Sequence, residues 1–215
     1  MKEEIRNIQV PDPTVRRLSH YKFLLESMKR DGRLIVSSTL IASELGFDSV
    51  QVKKDIQYAG IVGQPKKGYK IVELLGAINE MLNWHREEKA FLVGAGSLGT
   101  ALMQYQGLKE CGLNIVAAFD NDTKKIGKTI NGIEILEMDR LVVVAKMMKI
   151  KIGIVAVPET SAQACAEMFV SGGIRAVWNF APVILHLPKD IIVENAQFIQ
   201  SLAILTHKMG LEKVK

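Results

Sequence analysis

The chain has 215 residues, 48% of them hydrophobic and 24% charged, with a net charge of +5. That balance is an ordinary globular one and excludes a disordered chain, while the lack of any apolar run of about 18 residues excludes a membrane-spanning helix. The start, Met1-Lys2-Glu3-Glu4, lacks the apolar stretch of a signal peptide, so a soluble, cytoplasmic protein is expected.

Between Thr14 and Lys29 the residues Val15, Leu18, Tyr21, Leu24 or Leu25, and Met28 recur at three- and four-residue steps. With Asp12-Pro13 as a start and Gly32 as a stop, this predicts an amphipathic helix. Ser38 is the expected cap of a short second helix, Thr39 to Leu45, which Gly46 stops. Asp48 or Ser49 caps a third, running through Val50, Val52 and Ile56 to Tyr58 and ended by Gly60. Two short helices on a tight glycine-containing turn make a helix-turn-helix candidate. In such a unit the second helix enters the major groove, which here offers Ser49, Gln51, Lys53, Lys54 and Gln57 to the DNA. Glutamine suits adenine edges, and lysine suits guanine edges or phosphates.

Ile61 to Ile71 reads as two short strands around a basic loop, Gln64-Pro65-Lys66-Lys67-Gly68, which would be the wing of a winged helix. Between 50 and 70, Lys53, Lys54, Lys66, Lys67 and Lys70 stand against Asp55 alone, a patch compatible with phosphate contact. A small helical domain or a protein-binding winged helix would give the same pattern. Val72 to Trp84 is a further predicted helix, with Val72, Leu75, Ile78 and Leu82 on one face, widened by Leu74, Met81 and Trp84, and suited to docking one domain on the other. The charged run His85 to Lys89 is the natural linker.

Phe91-Leu92-Val93 leads into Gly94-Ala95-Gly96-Ser97-Leu98-Gly99 and a helix, and the next apolar run, Ile115 to Phe119, ends on Asp120, about 20 positions on as a dinucleotide fingerprint requires. Gly94 allows the tight turn, Gly96 lets the backbone approach a pyrophosphate, and Gly99 lets the helix pack close to the strand. The helix N-terminus supplies free N–H groups for the phosphates. The alternative is a glycine-rich turn of another α/β protein.

Strand and helix then alternate through Ile133–Ile135, Asp139 to Met148, Ile152–Val157, Ser161 to Val170, Ala176–Asn179 and Ile191–Glu194, which predicts an α/β domain with a parallel sheet covered on both faces. Ligands sit beyond the carboxyl ends of such strands, which singles out Asp120, Val157-Pro158 and Asn179-Phe180-Ala181-Pro182. Asp120 suits the adenosine ribose hydroxyls and favours NAD(H) over NADP(H), although Lys124 and Lys125 lie close. Phe180 and Tyr105 are the aromatic groups expected near a nicotinamide, each equally acceptable as core. Residues 196–212 form a last helix whose apolar stripe, Phe198, Leu202, Leu205 and Met209, needs a partner once the sheet is complete; a homodimer supplies one. Cys111 and Cys165 are isolated, so buried free thiols are expected and neither a disulfide framework nor a metal site.

Taken together these stretches resemble the redox-sensing transcriptional repressor Rex family. The resemblance is carried by Pro13 to Leu18, Val36-Ser37-Ser38, Gln51 to Asp55, Tyr58-Ala59-Gly60, Gly63 and Gly68-Tyr69, then by Gly94 to Gly99, Ala118-Phe119-Asp120, Lys125-Ile126-Gly127, Val157-Pro158 with Ala162-Gln163, Asn179 to Pro182, and Val193-Glu194-Asn195. It implies three parts: a winged-helix DNA-binding domain over 1–85, a Rossmann NAD(H)-binding domain over 86–195, and a C-terminal helix over 196–215 exchanged between the subunits of a homodimer. It also implies a repressor, not an enzyme, that binds operator DNA when NAD+ predominates and releases it when NADH binds. Ser38, Ser49, Gln51, Lys53, Lys54, Gln57, Tyr58, Lys66, Lys67 and Tyr69 would then meet DNA. Gly94 to Gly99, Asp120, Asn121, Lys125, Val157, Pro158, Tyr105 and Asn179 to Pro182 would hold the dinucleotide.

The chain departs from the family pattern in places. An arginine in the first helix and an aspartate in the last, which take part in a hydrogen-bond network with the tyrosine matching Tyr105, are matched here by Phe23 and Gln197, so the charged pair is missing. The wing reads Gln64-Pro65-Lys66-Lys67 where a basic, glycine-rich tip is usual, and Gln57 and Ala59 replace a small polar and an aromatic residue. Competing readings are a small NAD-dependent oxidoreductase, against which none of His20, His85, His186 or His207 stands at a strand end with an orienting partner, and a CoA- or nucleotide-binding protein without redox sensing.

Overall fold

The computed structural model describes residues 10–64, 67–196 and 198–212; the expectations resting on Lys66 and Gln197 lie outside the described residues. Its contacts divide the chain into two compact units, 1–86 and 87–215.

The first unit holds α1 (Asp12–Arg30), β1 (Ile35–Val36), α2 (Ser38–Leu45), α3 (Ser49–Tyr58), β2 (Tyr69–Lys70) and α4 (Ile71–Met81). Pro11 stands before α1 and Pro13 in its first turn, where a missing N–H costs nothing; Lys29 and Arg30 sit where the helix dipole favours cations. The buried row is Leu18, Tyr21, Leu25 and Met28, with Val15 left at the surface, so Leu25 and not Leu24 is the core residue. Ser37, not Ser38, caps α2: its Oγ accepts from the Leu40 N–H, while Ser38 is buried. Gly46 ends α2 at φ +69°, a left-handed turn that glycine adopts freely, and Asp48 caps α3 by accepting from Val50 and Gln51 N–H. α3 buries Val52, Asp55 and Ile56 and exposes Val50.

The expected two-stranded wing takes another form. Tyr69–Lys70 pairs antiparallel with Ile35–Val36, and the outer arm keeps a single bridge, Gln64 to Gly68. Closing the sheet on β1 leaves the loop a tight turn in which the Gly68 N–H donates to the Gln64 carbonyl. α4 also differs in phase: Ile71, Leu74, Leu75 and Ile78 are buried and Val72 is exposed. Its apolar face is used inside this unit, against α1, in one core with Leu18, Tyr21, Ile41 and Ile56.

The second unit runs β3 (Glu88–Val93), α5 (Ser97–Gln104), α6 (Gln106–Glu110), β4 (Leu113–Asp120), β5 (Thr129–Ile130), β6 (Ile133–Glu137), a 3-10 turn at Met138–Arg140, α7 (Leu141–Met148), β7 (Ile152–Val155), α8 (Glu159–Ser171), β8 (Ala176–Asn179), β9 (Ile192–Asn195) and α9 (Phe198–Glu212). The sheet order is β5-β6-β4-β3-β7-β8-β9, parallel throughout except for the short antiparallel edge strand β5. β3 sits in the middle, and side chains alternate to opposite faces along it. Phe91 and Val93 join the core under α7 and α8, and Ala90 and Leu92 join the one under α5. Burial on both faces explains why β3 reads as a continuous apolar run. The order reverses between β3 and β7, and that switch point is where such sheets bind ligands. Cys165 is buried, which raises its thiol pKa, and Cys111 is half-buried; no cluster able to hold a metal and no helix long and apolar enough to cross a membrane occurs among the described residues.

Candidate nucleotide-binding and DNA-binding sites

At the switch point the glycine loop is tightly specified. Gly94 has φ +97°, and a Cβ there would strike the Ala156 carbonyl and the Val157 side chain, so the β3 and β7 loops touch. A Cβ at Gly99 would strike the Gly94 carbonyl oxygen, which is how α5 approaches its strand. Gly96 is different: its position opens onto space with no neighbour within 4 Å, directly before the first turn of α5. Ser97 and Leu98 are exposed in that turn and Ala95 is buried beneath it. Backbone N–H groups at a helix start, with room in front of them, can hold a pyrophosphate.

Asp120 ends β4 beside this loop. Its Oδ2 accepts from the Ala95 N–H at 2.8 Å and from Lys125 Nζ at 3.0 Å, and Oδ1 accepts from the Asp122 N–H at 2.9 Å. Burial opposes its charge, but the N–H of Asp122, the ammonium of Lys125 and the N–H of Ala95 outweigh it and hold the carboxyl below its usual range. A carboxylate offers about four acceptor positions, so one remains for a ribose hydroxyl. Lys125, which by sequence argued against NAD(H), spends its charge on Asp120 and on Asp122 at 3.8 Å. Asn121 is exposed next to them.

Val157 is half-buried, and Pro158 opens α8 from an exposed position, three residues beyond the end of β7. Tyr105 ends the helix that follows the glycine loop: with ψ +107° it closes α5 and starts α6, is 61% exposed, and lies over Gly107. The turn after β8 is fixed by Asn179. Its buried amide donates to the Ala181 and Val183 carbonyls and to Asn195 Oδ1, and it accepts from the Ala181 N–H. The Ala196 N–H also returns to the Asn179 carbonyl at 2.8 Å. Phe180 stacks between Trp178, at 4.6 Å, and Phe198 of α9, at 5.9 Å. Ala181 is buried and Pro182 exposed. The turn and the root of α9 are thus one hydrogen-bonded piece, a link the sequence reading missed; Asn195, opposite Asn179 in register, was its available signal. Asn179→Ala leaves the buried Ala181 N–H and carbonyl and the partly buried Val183 carbonyl without their partner and is expected to cost about 2 kcal/mol of stability, measured by urea unfolding. A loss below about 0.5 kcal/mol would show the turn is held by other contacts.

In the first unit the organising group is Asp55, fully buried on α3. It accepts from Thr14 Oγ1, from the Arg17 guanidinium at 2.6 and 2.8 Å, from the Tyr21 hydroxyl at 2.7 Å and from Gln51 Nε2 at 2.9 Å. Burial alone would raise its pKa, but Arg17, Tyr21 and Gln51 together lower it. Burial and the bond to Asp55 push the Tyr21 phenol far above its usual range. The signal was in the sequence as the row Thr14, Arg17, Tyr21 on one face of α1 and the pair Gln51, Asp55 on α3.

Of the expected DNA-facing residues, Lys53, Lys54 and Gln57 are exposed along α3, Ser49, Gln51 and Tyr58 are half-buried, and Lys67 is exposed in the wing turn. Ser38 is buried, as the first residue of α2, and does not present its hydroxyl. Tyr69 is half-buried over Gly63, which raises its pKa. A groove of about 640 Å³ runs between the start of α1 and α3, lined by Pro11, Arg17, Lys54, Gln57 and Tyr58 among others. Phe23 stacks on Trp84 at 6.4 Å, with the buried Lys22 ammonium 5.1 Å from the Phe23 ring and paired to Glu26.

Known proteins resemble both units. Residues 9–56 match the family described as putative DNA-binding protein N-terminus, and residues 85–183 match the CoA binding domain. The redox-sensing transcriptional repressor Rex of Treponema denticola is 44% identical over 201 residues, 94% of this chain and 96% of that protein. The Rex of Bacteroides thetaiotaomicron is 39% identical over 213 residues, 99% and 97% of the two chains. Among solved structures, RSP in complex with beta-NAD+ and operator DNA matches with a TM-score of 0.88 at 29% identity, over 97% of this chain and 96% of that one. RSP with beta-NADH matches with a TM-score of 0.88 at 28% identity, over 97% and 98%. Near-complete coverage at this identity, on top of a glycine loop, acid and helix-turn-helix already visible in the structure, places the chain in the redox-sensing transcriptional repressor Rex family.

Proposed function

We propose that the protein is an NADH-responsive transcriptional repressor, a regulator and not an enzyme, which binds operator DNA as a homodimer through α3 and the wing turn. The observation that carries this is the presence in one chain of a glycine loop open at Gly96 beside an ionised Asp120 and of a recognition helix with an exposed basic face. The residues fit a dinucleotide: Gly94 to Gly99 would take the pyrophosphate, Asp120 the adenosine ribose, and Val157, Pro158, Tyr105 and the Asn179 to Pro182 turn the nicotinamide end. When bound, the dinucleotide supplies a difference in affinity between two dimer geometries, without which no equilibrium shifts.

The chain's own residues then pass on that preference. Asn179, through Asn195 and the Ala196 N–H, and Phe180, through Phe198, join the nicotinamide-end turn to the start of α9. α9 is the element that would join subunits: residues 198–210 are all exposed, including Phe198, Ile199, Leu202, Leu205 and Met209, an apolar stripe too large for a finished monomer surface. Exchange of this helix in a two-fold dimer would cover it and set the spacing of the two α3 helices, which must match successive major grooves. Phe23 and Gln197, at the family's charged positions, leave NADH preference to the remaining contacts.

Affinity for a palindromic duplex is expected to fall steeply with salt, and Lys54→Ala is expected to weaken binding on all sequences and reduce the salt slope by about 1 per subunit. Salt-independent binding, or none, contradicts the DNA-binding reading.

A further inference from the structure

The solvent-facing stripe of α3 consists of Val50, Lys53, Lys54 and Gln57, spaced i, i+3, i+4 and i+7, and all four are exposed. Val50 is the apolar member and lies in the first turn, the end that a recognition helix brings to base edges. It is 55% exposed, while Val52 and Ile56 of the same helix are fully buried. Valine gives no benefit to an isolated helix surface, since its branched side chain is a weaker helix former than alanine. The neighbouring amide, Gln51, is committed: its Nε2 donates to Asp55, whose other donors all come from α1, so its side chain is drawn towards α1 and away from the stripe.

We infer that Val50 is a specificity-determining residue that reads a thymine methyl in each half-site of the operator, in place of a hydrogen-bonded reading by Gln51. The inference rests on taking α3 as the recognition helix. The major groove presents the thymine C5-methyl as its apolar feature, and an apolar side chain gains by covering it where a polar one does not. Lys53 and Lys54, adjacent on the stripe, hold the helix to phosphates or guanine edges while Val50 makes the apolar contact.

The test uses the full-length protein and a duplex that it enriches from a pool of random-sequence duplexes. Each thymine of that duplex is then replaced in turn, in both half-sites, by uracil, which removes the methyl and keeps the base pairing. Binding is read by fluorescence anisotropy for the wild type and for Val50→Ala, whose fold is checked by thermal unfolding. One symmetric thymine pair is expected to matter for the wild type, its loss weakening binding about four-fold per half-site. Val50→Ala is expected to lose most of that sensitivity and to bind the uracil duplex nearly as the wild type does. A wild type insensitive to every uracil, or a Val50→Ala variant with undiminished sensitivity, overturns the inference and leaves DNA binding standing. Failure to enrich any duplex removes both.

Discussion

Asp55→Ala is expected to unfold or loosen the first unit, with a loss of about 3–5 kcal/mol, because it leaves a partly buried guanidinium, a buried phenol and two further donors without an acceptor. The carboxylate is fully buried and the Arg17 side chain only 20% exposed, so solvent does little to compensate. Asp55→Asn keeps one carbonyl oxygen for Tyr21 or Thr14 but leaves the Arg17 charge unpaired, and a smaller loss is expected. Operator binding should fall in both, since α3 is anchored to α1 through this group. Amide hydrogen exchange separates the outcomes by unit: faster exchange in α1 to α4 with β3 to β9 unchanged is expected. Equal protection in wild type and Asp55→Ala would show that apolar packing alone fixes α3.

The same carboxylate predicts an acid sensitivity. The folded pKa of Asp55 lies below its unfolded value, as does that of Asp120. Stability from both is therefore fully present above the unfolded value of about 3.9 and is lost as pH falls below it, through the lower folded values. Asp55→Ala should flatten that acid limb.

The second large effect separates two glycines of one loop. Gly96→Ala is expected to change folding stability by less than about 1 kcal/mol, because the new methyl meets nothing and the residue has a negative φ. It should nonetheless weaken NADH and NAD+ binding roughly ten- to a hundred-fold, since the methyl enters the space a pyrophosphate needs. Gly99→Ala meets the Gly94 carbonyl instead, backbone against methyl, and can be relieved only by moving α5 off β3. Loss of both stability, by about 1–3 kcal/mol, and nucleotide binding is expected there. Calorimetric titration with NADH beside thermal unfolding reads the two effects. Unchanged affinity in Gly96→Ala would move the phosphates away from this loop.

Much of this was legible in the chain because it depends on local chemistry. The glycine loop and its acid follow from spacing that only one kind of turn accommodates, and the parallel sheet covered on both faces follows from the alternation of strands and helices. What sequence missed depends on distant partners. Val72 reads as part of the apolar face because helical periodicity fixes a face only to within one residue, and the partner surface chooses between Ile71 and Val72. The wing's second strand, Tyr69–Lys70, forms as expected, but its partner is Ile35–Val36, far away in sequence, and the outer arm is reduced to the Gln64–Gly68 bridge. Asp55, a lone acid in a basic stretch, becomes the acceptor for four side chains only once the Thr14, Arg17, Tyr21 row of α1 is laid against its own Gln51, Asp55 pair on α3, a pairing that spacing within either helix alone does not reveal. Gln51 looked like a base reader for the same reason.

The most direct measurement is an anisotropy titration of the full-length protein on a palindromic operator duplex at fixed salt, repeated with saturating NAD+ and with saturating NADH. Tight binding that survives NAD+ and is lost with NADH is the expected result, even with Phe23 and Gln197 at the family's charged positions. Binding that ignores both nucleotides would contradict the account, leaving a DNA-binding protein whose glycine loop serves another purpose.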